Sequence, residues 1–160
     1  ANLIAFPGNV NKELYADIFE PDDNSFTVLM FTAQDILIGG CIAQVIPSYH
    51  AIYVKELIVI PQLKASKYGR EMLNHIGDLA LDIYEDSFIG IVATTICDRK
   101  IKNKDRSNLY KSKSLFNAGG KLVVECAKSK KQFLHFIYIP YNGGNDTDEV
   151  KEIFTHLFKP

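Results

Sequence analysis

Cysteine is scarce in this chain of 160 residues, which carries only Cys41, Cys97 and Cys126. The number is odd, the spacings are wide and no CxxC occurs, which excludes a zinc ribbon and a thioredoxin-type site. All three are expected as reduced thiols, mostly in strands. Long apolar runs are also missing. The strongest, 57-LIVIP-61 and 88-FIGIVATTIC-97, reach about half of the ~18 residues a membrane span needs. A charge excess of one sign is missing too. Lys and Arg number 18 against 19 Asp and Glu, so whole-chain basicity does not argue for nucleic acid. The histidines His50, His75, His135 and His156 show no metal-ligand spacing, and no metal is expected. The first ten residues have neither a basic start nor a long apolar stretch. No signal peptide is therefore expected, and the chain is read as cytoplasmic.

What is present is ordinary globular material: 47% hydrophobic and 23% charged residues. Such a chain buries a core without metals or disulfides, and 1–160 is read as one domain. Helical spacing marks 10–20, where Val10, Leu14 and Ile18 share a face and Pro21 stops the run. Three strands follow at 26–34, 36–46 and 51–60, joined by short turns, as an antiparallel meander. Gly39-Gly40 inside the second suggests a bulge or a close backbone approach. Helical spacing returns over 69–86 through Met72, Leu73, Ile76, Ala80 and Ile83. The run 88–97 is apolar on both faces, as a central parallel strand is. A helix at 107–118 ends on Gly119-Gly120, strands follow at 121–127 and 132–139, and an amphipathic helix closes the chain at 146–158. Asp146 with Glu149 suits the start of that last helix. The expected fold is α/β with a mixed sheet: a meander, then a βαβ crossover, with helices on both faces.

The segment 57-LIVIPQLKASKYGREML-73 is a strand, a polar loop and a helix start in succession. First-turn N–H groups of a helix lack internal partners and sit at the positive end of its dipole, which suits phosphate. Gly69 permits close approach, and Lys64, Lys67 and Arg70 add positive charge. The plain alternative is a βα loop with solvated lysines. Glu56 is the carboxylate of the third strand, where a cross-strand partner for a lysine is the plain reading. His50, in the turn before that strand, is a weaker candidate. The stretch 98–113 holds seven Lys/Arg against two Asp, and reads as an anion-binding wall or a solvated face.

Segment 57–73 resembles motif A of the GNAT acetyltransferase superfamily, L-x-V-x-P-x-x-[RQ]-x-x-G-x-[GA] before a helix. Leu57, Val59, Pro61 and Gly69 match; Lys64 stands for Arg or Gln, and Lys67 replaces the middle glycine. The segment 112-SKSLFNAGGKL-122 is similar to the family's A-x-x-x-Y-E-K-x-G-F stretch, with Ser112 at the small residue and Gly120 at the glycine. Phe116 stands where many members carry a Tyr acting as general acid.

The resemblance implies acetyl-CoA bound in a splay between the strands at 51–60 and 88–97, with no metal. The backbone of Leu57, Ile58 and Val59 would hold the pantetheine arm and acetyl carbonyl. The amides of Lys64, Ala65, Ser66, Lys67, Tyr68, Gly69 and Arg70 would hold the pyrophosphate. An amine acceptor would attack the thioester directly, with Glu56 as base. Phe116 has no hydroxyl, so Ser112, one turn earlier on the same helix face, is the candidate acid. The implied activity is N-acetyl transfer to an amine-bearing small molecule or protein. The alternatives are a GNAT-fold binding or regulatory module, favoured by Lys67 and Phe116, and a nucleic-acid domain led by 98–113.

Overall fold

The computed structural model describes residues 24–31, 34–59, 68–98, 110–130, 132–142 and 147–158. The helix expected at 10–20, the loop residues 60–67 and Asp146 lie outside the described residues. So does most of the basic stretch, 99–109. The first strand is β1 (Ser25–Phe31), followed by β2 (Leu37–Ile46) and β3 (Ala51–Val59). Next come helix α1 (Tyr68–Tyr84), strand β4 (Gly90–Asp98) and helix α2 (Tyr110–Asn117). The chain continues through β5 (Lys121–Ala127), β6 (Gln132–Pro140) and helix α3 (Thr147–Phe158). The strands form one six-stranded sheet in the order β1-β2-β3-β4-β6-β5. Among the described residues only the central pair β3–β4 is parallel, as a βαβ crossover through α1 requires. The expected α/β fold with a mixed sheet is the fold observed.

Each face of the sheet buries its own cluster. On one face Met72, Leu73, Ile76 and Ala80 of α1 and Leu115 of α2 meet Ile52, Val54, Ile91, Ala93, Ile137 and Ile139. On the other, Val150 and Ile153 of α3 meet Val92, Phe136 and Tyr138. β4 thus feeds alternate residues into both clusters, which is why its first half, Gly90–Ala93, is apolar on both faces. Several boundaries differ from the sequence reading by a few residues, among them the end of α1 and the start of β4. The α1 helix ends at Tyr84 because Glu85 takes a positive φ of 53° and starts a short 3-10 turn. β4 begins at Gly90, with buried Phe88 packing ahead of the strand.

The C-terminus of α2 is closed as its glycines suggest. The Gly119 N–H donates to the Phe116 carbonyl at 3.0 Å and the Gly120 N–H to the Leu115 carbonyl at 2.9 Å, with Gly119 at φ 97°. That pair of bonds is a Schellman cap. At Gly39 an added Cβ would collide with the Ile58 carbonyl oxygen and lie 3.0 Å from the Val59 Cα. The close approach expected of the Gly39-Gly40 pair is therefore real, and it brings β2 against the end of β3.

Candidate functional site

The lower ends of the two central strands are stitched together. The Ile89 N–H donates to the His50 carbonyl at 3.1 Å, and the Tyr138 hydroxyl donates to the Ile89 carbonyl at 2.7 Å. His50 also bonds Ser87 Oγ through Nδ1 at 2.8 Å and stacks on Tyr84 with centroids 4.7 Å apart. It is thus fixed at the end where β3 and β4 begin.

The upper ends separate. The parallel ladder pairs Ala51–Val54 with Gly90–Ala93 and stops, while β3 runs on to Val59 and β4 to Asp98. Five residues on each side leave a notch about 16 Å deep at 3.3 Å per residue. The stop coincides with a bulge. Ile42 faces Glu56 and Ala43 faces Val54, so Lys55 is the extra residue. A bulge bends its strand and increases the local twist. Here it sits at the rung where β3 leaves β4. From Glu56 onward the notch side of β3 has no ladder partner among the described residues.

The bulge also resets which residues share a face. Ile52 and Val54 before it, and Leu57 and Val59 after it, all enter the cluster under α1. Tyr53 and Glu56, three apart, therefore fall together on the α3 face. Tyr53 Oη lies 3.1 Å from Thr94 Oγ1, across the point where the strands part. The Phe158 ring meets Tyr53 edge-on at 5.9 Å. Burial pushes the Tyr53 phenol above its ordinary pKa; the Thr94 hydrogen bond opposes this, and the Glu56 charge adds to it. Burial, then the Asp78 charge, raises Tyr141 likewise.

Folding therefore tightens the hold on these two phenol protons. The linked stability is whole below the ordinary value of 10.0 and is lost as pH climbs through the raised folded values. Denaturant unfolding between pH 8 and 11 should show stability falling at the alkaline end, and Tyr53→Phe should flatten that fall. An unchanged slope in Tyr53→Phe would contradict the assignment.

On the α1–α2 face, Thr95 lies two residues beyond the last paired rung. It is 4% exposed, and its Oγ1 has no hydrogen-bond partner among the described residues. A buried hydroxyl left in that state costs about 1–3 kcal/mol. His135, opposite Thr95 on β6, has its Nε2 2.8 Å from Glu125 Oε2.

The site residues singled out in the sequence gather around the notch only in part. Leu57 and Val59 have buried side chains in the α1 cluster, so only their backbone can meet the notch. Ile58 and Tyr68 are half-buried, Gly69 is buried in the first turn of α1, and Arg70 is exposed. Lys64, Ala65, Ser66 and Lys67 lie outside the described residues. Ser112 is in the first turn of α2, the helix that follows β4 in the chain. Phe116 is 45% exposed rather than packed in the core. Sequence reasoning missed Tyr53, Thr94, Thr95 and Phe158. Among the described residues no group of His, Cys, Asp and Glu is placed to hold a metal, and no helix is long and apolar enough to cross a membrane.

From Glu56 onward the open backbone of β3 offers N–H and C=O partners to an extended chain lying in the notch.

No family model matches the sequence, and no curated protein matches it significantly. Solved structures do match. A mutant form of spermidine N-acetyltransferase from Vibrio cholerae aligns with a TM-score of 0.60 at 15% identity, covering 85% of this chain and 76% of that one. A protein described as a GNAT-family acetyltransferase from Desulfovibrio desulfuricans gives 0.59 at 14%, covering 73% and 69%. The PaiA N-acetyltransferase from Thermoplasma acidophilum, solved with coenzyme A, gives 0.54 at 14%, covering 81% and 67%. Likeness at these identities is likeness of fold, and it agrees with the mixed six-stranded sheet and its helices. The chain has the fold of the GNAT acetyltransferase superfamily.

Proposed function

We propose that residues 1–160 form one acyl-CoA N-acyltransferase-like domain that transfers an acetyl group from acetyl-CoA to an amine, in a cytoplasmic setting. The observation that carries this reading is the notch: a parallel ladder that ends at a bulge while both strands continue. The backbone of Leu57, Ile58 and Val59 would hold the pantetheine arm. The amides of Lys64, Ala65, Ser66, Lys67, Tyr68, Gly69 and Arg70 would hold the pyrophosphate at the α1 N-terminus. Bound there, acetyl-CoA supplies a thioester carbon open to attack by a neutral amine, with the CoA thiolate as leaving group.

This chain's residues manage the protons. An amine is charged at neutral pH and must lose a proton before it attacks. Glu56, on the α3 face beside Tyr53, accepts that proton directly or through water. Ser112, in the first turn of α2, is the candidate to return a proton to the leaving sulfur. A thiol of pKa about 8.5 is a fair leaving group near neutrality, so that role assists rather than decides.

The experiment has two arms. Acetyl-CoA at 100 times its Kd should add about 2.7 kcal/mol of stability, read as a rise in Tm. CoA-thiol release should then appear with one member of an amine panel that begins with spermidine, the substrate named for one structural neighbour. No Tm shift and no calorimetric heat at millimolar acetyl-CoA would overturn the proposal. Binding without turnover across the panel would favour the binding-module alternative.

A further inference from the structure

We propose that Thr95 is a ligand-binding residue, whose hydroxyl hydrogen-bonds an amide of the acyl-CoA arm lying in the notch. The inference rests on the acetyltransferase reading for the ligand's identity. Its footing is a side-chain hydroxyl, buried on the α1–α2 face two residues beyond the end of the ladder, with no hydrogen-bond partner among the described residues.

Thr95 is placed for this contact by register. Ala93 is the last β4 residue in the parallel ladder, so Thr95 stands about 7 Å beyond the vertex. It shares the α1–α2 face with Ile91 and Ala93, which belong to the cluster under α1. Its neighbour Thr94 points to the other face, where it is tied to Tyr53. The two adjacent threonines thus serve opposite sides of the sheet.

A hydroxyl both donates and accepts, so it matches either end of a secondary amide. The pantetheine arm carries two such amides. An arm lying in the notch would have β3 backbone on one side and Thr95 on the other. The β6 neighbour His135 makes no hydrogen bond to Thr95, and its Nε2 lies 2.8 Å from Glu125 Oε2.

Thr27 provides the control. Its Oγ1 is also buried without a partner among the described residues, but it lies in β1, two strands from β3. Phe26, Val28 and Met30 pack under α1, so Thr27 faces away from it.

The experiment compares Thr95→Val, Thr95→Ser and Thr27→Val with the wild type. Melting temperature is measured without ligand, and affinity for CoA and for phosphopantetheine by calorimetry. Both valine variants should raise the ligand-free Tm, since each removes an unpartnered hydroxyl. Only Thr95→Val should weaken binding, by about 3- to 10-fold in Kd, the range of one neutral hydrogen bond. The loss should be equal for CoA and phosphopantetheine, which places the contact on the arm. Thr95→Ser should bind within about twofold of wild type. Unchanged CoA affinity in Thr95→Val, or a ligand-free Tm that falls, overturns the proposal while leaving the acetyltransferase reading intact. A wild-type protein that gives no heat with CoA overturns that reading and this proposal with it.

Discussion

Replacing Glu56 by Gln should lower kcat for amine acetylation by about 10²–10⁴-fold, the usual contribution of a positioned general base. The change keeps the size of the side chain and removes its charge. CoA affinity should stay within about twofold, because Glu56 lies on the α3 face and Thr95 with α1 lies on the other. The residual rate should keep rising with pH as bulk solvent takes over the amine proton. A second readout needs no turnover. The Glu56 charge helps hold the Tyr53 phenol above its ordinary pKa, so the substitution should let Tyr53 ionise at lower pH. A kcat within threefold of wild type would remove Glu56 from the proton path. A Tyr53 titration that does not move would remove it from the neighbourhood of Tyr53.

The order of strands and helices was legible because each element writes its own period. β4 reads apolar on both faces since Ile91 and Ala93 serve one cluster and Val92 the other. The turn chemistry was legible too, in the glycines that close α2 and in Gly39, whose missing Cβ admits the β3 backbone. What period alone could not supply was the break in it. Tyr53 and Glu56 are three apart, and a regular strand would put them on opposite faces. The bulge at Lys55 brings them together, and nothing in 51-AIYVKELIV-59 marks that lysine as the extra residue. Thr94 and Thr95 were hidden for a related reason. Threonine is common in strands, and only the end of the β3–β4 ladder makes one a bridge and the other a hydroxyl in want of a partner. His50 shows the reverse: a reactive side chain before a strand, placed at the end that is stitched shut. The motif-A likeness drew attention to the strands at 51–60 and 88–97, and the end of their ladder at Val54 and Ala93 appears only in the structure.

Phe136→Ala should cost about 3–5 kcal/mol of stability, the range for emptying a fully buried phenylalanine site. Phe136 is 0% exposed and sits between the sheet and α3. Its ring lies 5.0 Å from that of Phe154 and 6.2 Å from that of Phe158, and these two are 5.1 Å apart. The cluster reaches the site by two routes. Phe136 is the register partner of Thr94, which bonds Tyr53, and Phe158 meets the Tyr53 ring directly. A cavity there should loosen the α3 face of the notch before the α1 face. At a temperature where the variant is still folded, KM for the acceptor should rise while Kd for CoA stays within about twofold. Phe136→Leu, which fills part of the volume, should fall between wild type and alanine on both measures. A stability loss below about 1 kcal/mol would mean the aromatic cluster does not carry α3. A parallel loss of CoA affinity would mean that the two faces of the notch do not act separately.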